Sequence, residues 1–261
     1  MRSKRMKAVL AWILSAAALA PPLGTQAQAP DNRENNARSS PGGDCVVLLH
    51  GLSRTRFSMR NIEETLEDHD YIVSNIEYDS RDSRIEELAV TAVEAGLAEC
   101  RQQGADRIHF TTHSLGGILV RQYLSQYPIN ELGRVVMLAP PNHGSEIIDV
   151  FGRIPGFLFI SGAPAAQLGT STNDSIPLQL PPVNFELGVI AGDRSISPIF
   201  SLVIPDRDDG KVSVESARIE GMKDFIVMPY THTFIMLRQQ VIDQIVHFLN
   251  TGSFLHTAGD A

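Results

Sequence analysis

The chain has 261 residues, with 22 Lys and Arg against 30 Asp and Glu, and 43% of its residues are hydrophobic. This is ordinary globular composition, which excludes a disordered, collagen-like or disulfide-dense protein. The length fits one α/β domain or two small domains.

The first 29 residues contain Arg2, Lys4, Arg5 and Lys7 and no acid, so the remaining 18 Lys and Arg face 30 Asp and Glu, a net charge of −12. A body that acidic lacks the clustered cations that nucleic-acid phosphates require, so no nucleic-acid partner is expected. The leader itself reads as a secretory signal. A basic stretch precedes an apolar run over 8–20, Pro21 and Pro22 break the helix, and Ala27-Gln28-Ala29 supplies small residues for cleavage. The apolar run is short of the about 20 residues that a bilayer span needs, although an uncleaved anchor is the alternative. Cleavage near Ala29 would place the mature chain in the periplasm or outside the cell, with no stable membrane span. Residues 30–43 are polar and read as a flexible linker, followed by a folded domain over 44–251 and a tail over 252–261.

Val46-Val47-Leu48-Leu49 is a short apolar run of the kind found in a buried parallel strand. Residues 58–68 space Met59, Ile62 and Leu66 as in a helix, and 71–76 reads as a strand. A long helix is expected over 82–103, with Ile85, Leu88, Val93 and Leu97 on one side and Gly104 as the stop. A strand over 108–111, a helix over 115–127 ending before Pro128, and a strand over 134–138 follow. The stretch 140–183 is rich in Gly and Pro and carries Phe157-Leu158-Phe159-Ile160. Loops this long are usually functional, so a short lid-like or pocket-wall excursion is expected; an ordinary excursion with one packed helix is the alternative. Strands over 185–191 and 225–228 and a last helix over 232–249 complete the chain. The alternation predicts an α/β fold: a mostly parallel, doubly wound sheet with helices on both faces.

Cys45 precedes the first strand, and Cys100 ends a helix leading back to the next. Both places lie at the same end of a parallel layer, so a disulfide is geometrically reasonable in an exported chain, against two buried thiols. Neither cysteine has metal-ligand spacing, and no metal or cofactor is expected.

The sharpest local signal is Thr112-His113-Ser114-Leu115-Gly116-Gly117, which follows a strand and opens a helix. A serine in such a turn projects its hydroxyl above the sheet, and small residues two before and two after let helix and strand approach. Thr112 stands where the usual first glycine would be and crowds the turn. The free N–H of Leu115, at the helix start, is the natural donor to a developing oxyanion. The loop His50-Gly51-Leu52 ends the first strand beside this turn, and the N–H of Leu52 is the second expected donor. His50 precedes the serine and is read as shaping the loop.

A serine nucleophile needs a base, and the base needs a carboxylate. His232 lies just after the strand over 225–228, at a carboxyl end where open α/β sheets bind ligands. His143 also follows a strand, and His247 falls within the last helix. The acid must come between serine and base. Asp206, Asp208 and Asp209 cluster before Gly210, and Asp193 follows an earlier strand. Asp209, beside the glycine turn, is the first choice; Asp208 and Asp193 remain open.

Together Leu49-His50-Gly51-Leu52, Thr112 to Gly117, Ala139-Pro140-Pro141-Asn142-His143-Gly144-Ser145, Asp209-Gly210-Lys211-Val212 and His232 resemble an α/β-hydrolase of the bacterial lipase/esterase type. The resemblance implies Ser114 as nucleophile, Asp209 as acid, His232 as base, and the Leu52 and Leu115 N–H groups as oxyanion hole. It implies hydrolysis of a small-molecule or lipid ester through an acyl-enzyme, without a cofactor. An acyltransferase, thioesterase or amidase on the same fold competes, as does a catalytically silent scaffold that binds lipid or a protein.

Overall fold

A computed structural model describes residues 43–170, 173–204 and 207–256. The expected secretory leader, nearly all of the expected linker, Asp206 and the last five residues of the tail lie outside the described residues. Six strands form one sheet: β1 (Asp44–Leu49), β2 (Ile72–Ile76), β3 (Arg107–His113), β4 (Leu132–Leu138), β5 (Leu187–Gly192) and β6 (Asp224–Met228). Their order is β2-β1-β3-β4-β5-β6, and every pairing is parallel. This is the doubly wound α/β architecture that the alternating pattern predicts.

The apolar runs have no polar alternation because both faces of the sheet are covered. Val46 and Leu48 of β1 pack with Met59, Ile62 and Leu66, and with Val241, Ile242 and Ile245. Those residues belong to helix α1 (Arg60–Asp68), the 3-10 turn before it, and a C-terminal helix. Val47 and Leu49 face the opposite layer. That layer holds α2 (Ile85–Gln102), α3 (Leu115–Leu124) and their buried Leu88, Val93, Leu97, Ile118 and Leu119. The C-terminal helix is α4 (Gln239–Thr251). Beyond it, Phe254 is buried against Phe248, ring centroids 4.8 Å apart, and its N–H donates to Asp224.

Three segments differ from the sequence pattern. The last helix begins at Gln239 rather than 232, after a 3-10 turn at Ile235–Leu237. The His232 N–H is claimed by the Asp209 carbonyl at 2.9 Å, so the backbone there belongs to a loop. Val212-Ser213-Val214 looks extended in sequence, yet Ser213 caps a helical turn at Val214–Ala217 by accepting from the Ser216 N–H. Among its described residues the excursion over 140–183 holds four short helices, Glu146–Phe151, Phe157–Ser161, Ala163–Ala166 and Ile176–Gln179, rather than one packed helix. Its Gly and Pro residues interrupt any longer helical run.

Cys45 and Cys100 form a disulfide, with Cα atoms 5.8 Å apart. It joins the start of β1 to the end of α2, at the amino end of the sheet. Among the described residues no helix is long and apolar enough to cross a membrane.

Candidate active site

The strand order reverses between β1 and β3, which leave the sheet side by side with Leu49 paired to Thr112. In open α/β sheets the crevice outside such a point receives ligands. Here it gathers the loop after β1 and the turn after β3.

Ser114 occupies the turn between β3 and α3 at φ 53°, ψ −118°, a left-handed conformation that costs a non-glycine residue energy. Its N–H donates to the Leu138 carbonyl at 2.9 Å, which ties the turn to β4. Gly116 shows why the following helix needs a small residue: a Cβ there would stand 2.5 Å from the Leu49 carbonyl oxygen. Thr112 is fully buried within β3, and its hydroxyl has no hydrogen-bond partner among the described residues. The extra methyl is thus accommodated at the strand end, with its hydroxyl left unsatisfied.

The loop after β6 brings His232 to this turn. Its Nε2 lies 3.0 Å from the Ser114 Oγ, and its Nδ1 lies 2.8 Å from the Asp209 Oδ2. A carboxylate oxygen accepts, so Nδ1 carries the proton and Nε2 is free to accept from the serine hydroxyl. Asp209 is itself fixed by its own turn, Oδ1 accepting from the N–H groups of Lys211 and Val212 at 2.9 and 2.8 Å. His232 and Asp209 are almost wholly buried, which shelters their bond from water.

The other acids are engaged elsewhere. Asp208 turns away and accepts from the Gly210 N–H at 2.7 Å and the Ser201 hydroxyl at 3.2 Å. Asp193, after β5, pairs with Arg207 and, at 3.7 Å, with Arg194. His143 is exposed, and His247 lies within α4, away from this turn. His50 is fully buried and stacked on Tyr78 with ring centroids 4.1 Å apart, while the Tyr78 hydroxyl donates to the His50 carbonyl. Burial holds its imidazole below the usual histidine range.

His113 has a role that sequence reasoning misses. Its Nε2 donates to the His232 carbonyl at 3.0 Å, and the rings lie 4.9 Å apart. Burial, then the His232 and Arg54 charges, keep it neutral. A Cβ on Gly51 would stand 2.7 Å from the His113 Nδ1, so the loop after β1 passes this ring with only a glycine's width to spare. The only sequence signal was a histidine next to the serine.

Among the described residues no protein acceptor takes the N–H of Leu52 or of Leu115. The excursion is fastened to the same corner: the Ser145 hydroxyl donates to the Lys211 carbonyl at 2.8 Å and the Ser216 hydroxyl to the Gly144 carbonyl at 2.7 Å. Phe151 and Phe157 are buried within the excursion region, whereas Phe159 is 92% exposed. A cavity of about 260 Å³ beside Ile148, Leu158 and Ser175 lies within the excursion and includes no residue of the Ser114 site. Among the described residues no group of three or more His, Cys, Asp or Glu is arranged to hold a metal ion.

No protein-family model matches the sequence, and no curated protein matches it. Solved structures do. The mature lipase BlEst2 of Bacillus licheniformis superposes with a TM-score of 0.66 at 17% identity, covering 83% of this chain and 96% of the lipase. The Legionella pneumophila phospholipase PlaB gives 0.63 at 19% identity, over 81% of this chain and 60% of that one. The Pyrococcus furiosus esterase PF2001 gives 0.58 at 17% identity, over 80% and 82%. With its all-parallel six-stranded sheet and these structural neighbours, the chain has the α/β-hydrolase fold.

Proposed function

We propose that the protein is an exported serine hydrolase that cleaves carboxylic esters through an acyl-enzyme. The reading rests above all on one relay: Ser114 Oγ to His232 Nε2 at 3.0 Å, and His232 Nδ1 to Asp209 Oδ2 at 2.8 Å. In this reading His232 removes the serine proton as Ser114 attacks the acyl carbonyl. Asp209 keeps the imidazole in the required tautomer and offsets its charge once protonated. The unclaimed N–H groups of Leu52 and Leu115 receive the oxyanion, each worth about 2.7–4 kcal/mol in comparable enzymes. The imidazolium then protonates the departing alcohol, and water repeats the sequence on the acyl-enzyme. The lipase and esterase neighbours support ester substrates over other acyl compounds. The basic and apolar leader and the Cys45–Cys100 disulfide support export to an oxidising compartment.

The test is hydrolysis of p-nitrophenyl esters of increasing chain length by the wild type and by Ser114→Ala, with fluorophosphonate labelling followed in parallel. The reading requires that both hydrolysis and labelling vanish in the variant while its circular dichroism stays native. Activity that survives in Ser114→Ala would remove it.

A further inference from the structure

The loop after β1 is gripped from one side by residues that the proposed reaction does not use. β2 lies at the edge of the sheet with Ile76 paired to Leu49, so the loops that follow these two strands leave the sheet together. Three consecutive peptide units of the first loop, from His50 to Ser53, are held in turn. The His50 carbonyl accepts from the Tyr78 hydroxyl. The Gly51 carbonyl accepts from the His50 Nδ1 at 3.0 Å and from the Arg54 N–H at 3.2 Å. The Ser53 N–H donates to the Ser80 Oγ at 2.9 Å. The Leu52 N–H belongs to the middle unit, and among the described residues it has no protein acceptor. A trans peptide is planar, with its C=O and N–H pointing opposite ways, so whatever fixes the Gly51 carbonyl also aims the Leu52 N–H.

The bonds at the Gly51 carbonyl are internal to the loop and would move with it. Tyr78 and Ser80 come from the loop after β2 and tie it to the rest of the molecule. Tyr78 does so twice. Its hydroxyl holds the His50 carbonyl, and its ring lies nearly parallel to the His50 ring, centroids 4.1 Å apart, which fixes the imidazole that donates to Gly51. Ser80 holds the unit that follows, at a residue under strain: Ser53 has φ 56°, a left-handed conformation that costs a non-glycine residue energy. Tyr78 and Ser80 are both buried. Their own loop is anchored further on, where the Ala163 N–H donates to the Arg81 carbonyl at 3.1 Å. The buried Gln167 then spans the Ile85 N–H and the Glu86 carboxylate, at 2.8 Å each. Beyond the turn, Arg54 Nη2 donates to the Thr233 carbonyl at 2.9 Å, so the first loop keeps an anchor when Tyr78 or Ser80 is altered.

We infer that Tyr78 and Ser80 are positioning residues that aim the Leu52 N–H at the oxyanion. Both act through the backbone of residues 50–53, one on each side of the peptide that carries the donor. A donor contributes in full only when it stands about 2.7–3.1 Å from the place where the negative oxygen forms, so a small rotation of this peptide weakens it. This inference rests on the serine-hydrolase reading and deepens it.

The experiment compares p-nitrophenyl butyrate with its thiono analogue, in which sulfur replaces the carbonyl oxygen. Sulfur accepts hydrogen bonds weakly, so a well-aimed donor favours the oxygen ester and a misaimed one discriminates less. In Tyr78→Phe and in Ser80→Ala, kcat/KM for the oxygen ester is expected to fall about tenfold, short of the hundred- to thousandfold or so that outright loss of a donor costs. For the thiono ester it should fall less than about threefold, so the preference for oxygen narrows. Ser80→Thr keeps the acceptor and should recover most of the rate and of the preference. A merely structural role would lower the melting temperature and leave the ratio of the two substrates unchanged. Amide hydrogen exchange in the wild type gives a second readout that needs no variant to fold: the Ser53 N–H should exchange slowly and the Leu52 N–H fast. An unchanged oxygen-to-sulfur ratio in both folded variants, or a Ser53 N–H that exchanges as fast as that of Leu52, overturns the inference. Absence of hydrolysis and of fluorophosphonate labelling in the wild type would instead strike the serine-hydrolase reading beneath it.

Discussion

The imidazole of His113 donates to the backbone carbonyl of His232 at 3.0 Å, so the residue before the serine holds the loop that carries its partner histidine. Ser114 and His232 lie 118 residues apart in sequence, and their 3.0 Å contact depends on two loops staying in register. The neutral His113 ring is a strut between them. A charged ring at the same place would repel the imidazolium that the proposed mechanism forms on His232.

His113→Leu removes that strut without touching substrate. We expect kcat to fall ten- to hundredfold with KM changed less than threefold, since small displacements of a reacting group carry penalties of about that size. Fluorophosphonate labelling of Ser114 should slow in parallel. A purely structural role would lower the melting temperature and leave the kinetics of the folded fraction intact, so kinetics well below the melting range decide the matter.

The candidate acids differ in partners that the sequence does not display. Asp209→Asn preserves shape but leaves His232 Nδ1 facing an amide, and kcat should drop by about 10⁴-fold. Asp193→Asn only frees Arg207 and Arg194 and should change kcat by less than a few-fold. Steady-state kinetics on one p-nitrophenyl ester compare the two, and a large loss in Asp193→Asn with a small one in Asp209→Asn would reverse the assignment.

Much of this was legible because it rests on local patterning. Val46 to Leu49 reads as a buried strand because it is one, and the Ser114 turn announces itself through strand, small residues and helix in succession. What was hidden depends on distant partners. The turn of Asp209 fixes one of its carboxylate oxygens and leaves the other to His232, whereas Asp193 pairs with Arg207, fourteen residues on. The backbone after β6 stays a loop because Asp209 claims the His232 N–H. None of these pairings leaves a mark in hydrophobic spacing.

Three buried histidines make the fold acid-sensitive. Burial lowers the pKa of His50, His109 and His113 below the value near 6.5 that each regains on unfolding. The unfolded chain therefore binds more protons than the folded one below about pH 6.5. Their contribution is fully present above that pH and is lost as pH falls towards the folded values. The loss is at most about 1.4 kcal/mol per histidine per pH unit. His109 shows the local reason: its Nδ1 accepts from the Arg134 N–H at 2.8 Å, a bond that a protonated ring cannot keep. Imidazole ¹⁵N titrations should place all three midpoints below that of a free histidine, and urea midpoints should fall between pH 7 and 5. Histidines that charge normally in the folded state would contradict this.

The Cys45–Cys100 disulfide closes a stretch with a sequence separation of 55, at the end of the sheet opposite Ser114. A loop of that length restricts the unfolded chain by an amount worth about 4 kcal/mol in the loop-entropy treatment. Because the bridge lies away from the site, its loss should act on stability and leave chemistry alone. Cys45→Ala/Cys100→Ala is expected to lower the unfolding free energy by about 2–4 kcal/mol, with kcat and KM on a p-nitrophenyl ester unchanged at a temperature where both forms are folded. Denaturant melts with and without reductant give the same comparison in the wild type. A change in kcat at full folding would mean that β1 carries strain from the disulfide to the loop of His50 and Leu52, and would argue against separate roles for the two ends of the strand.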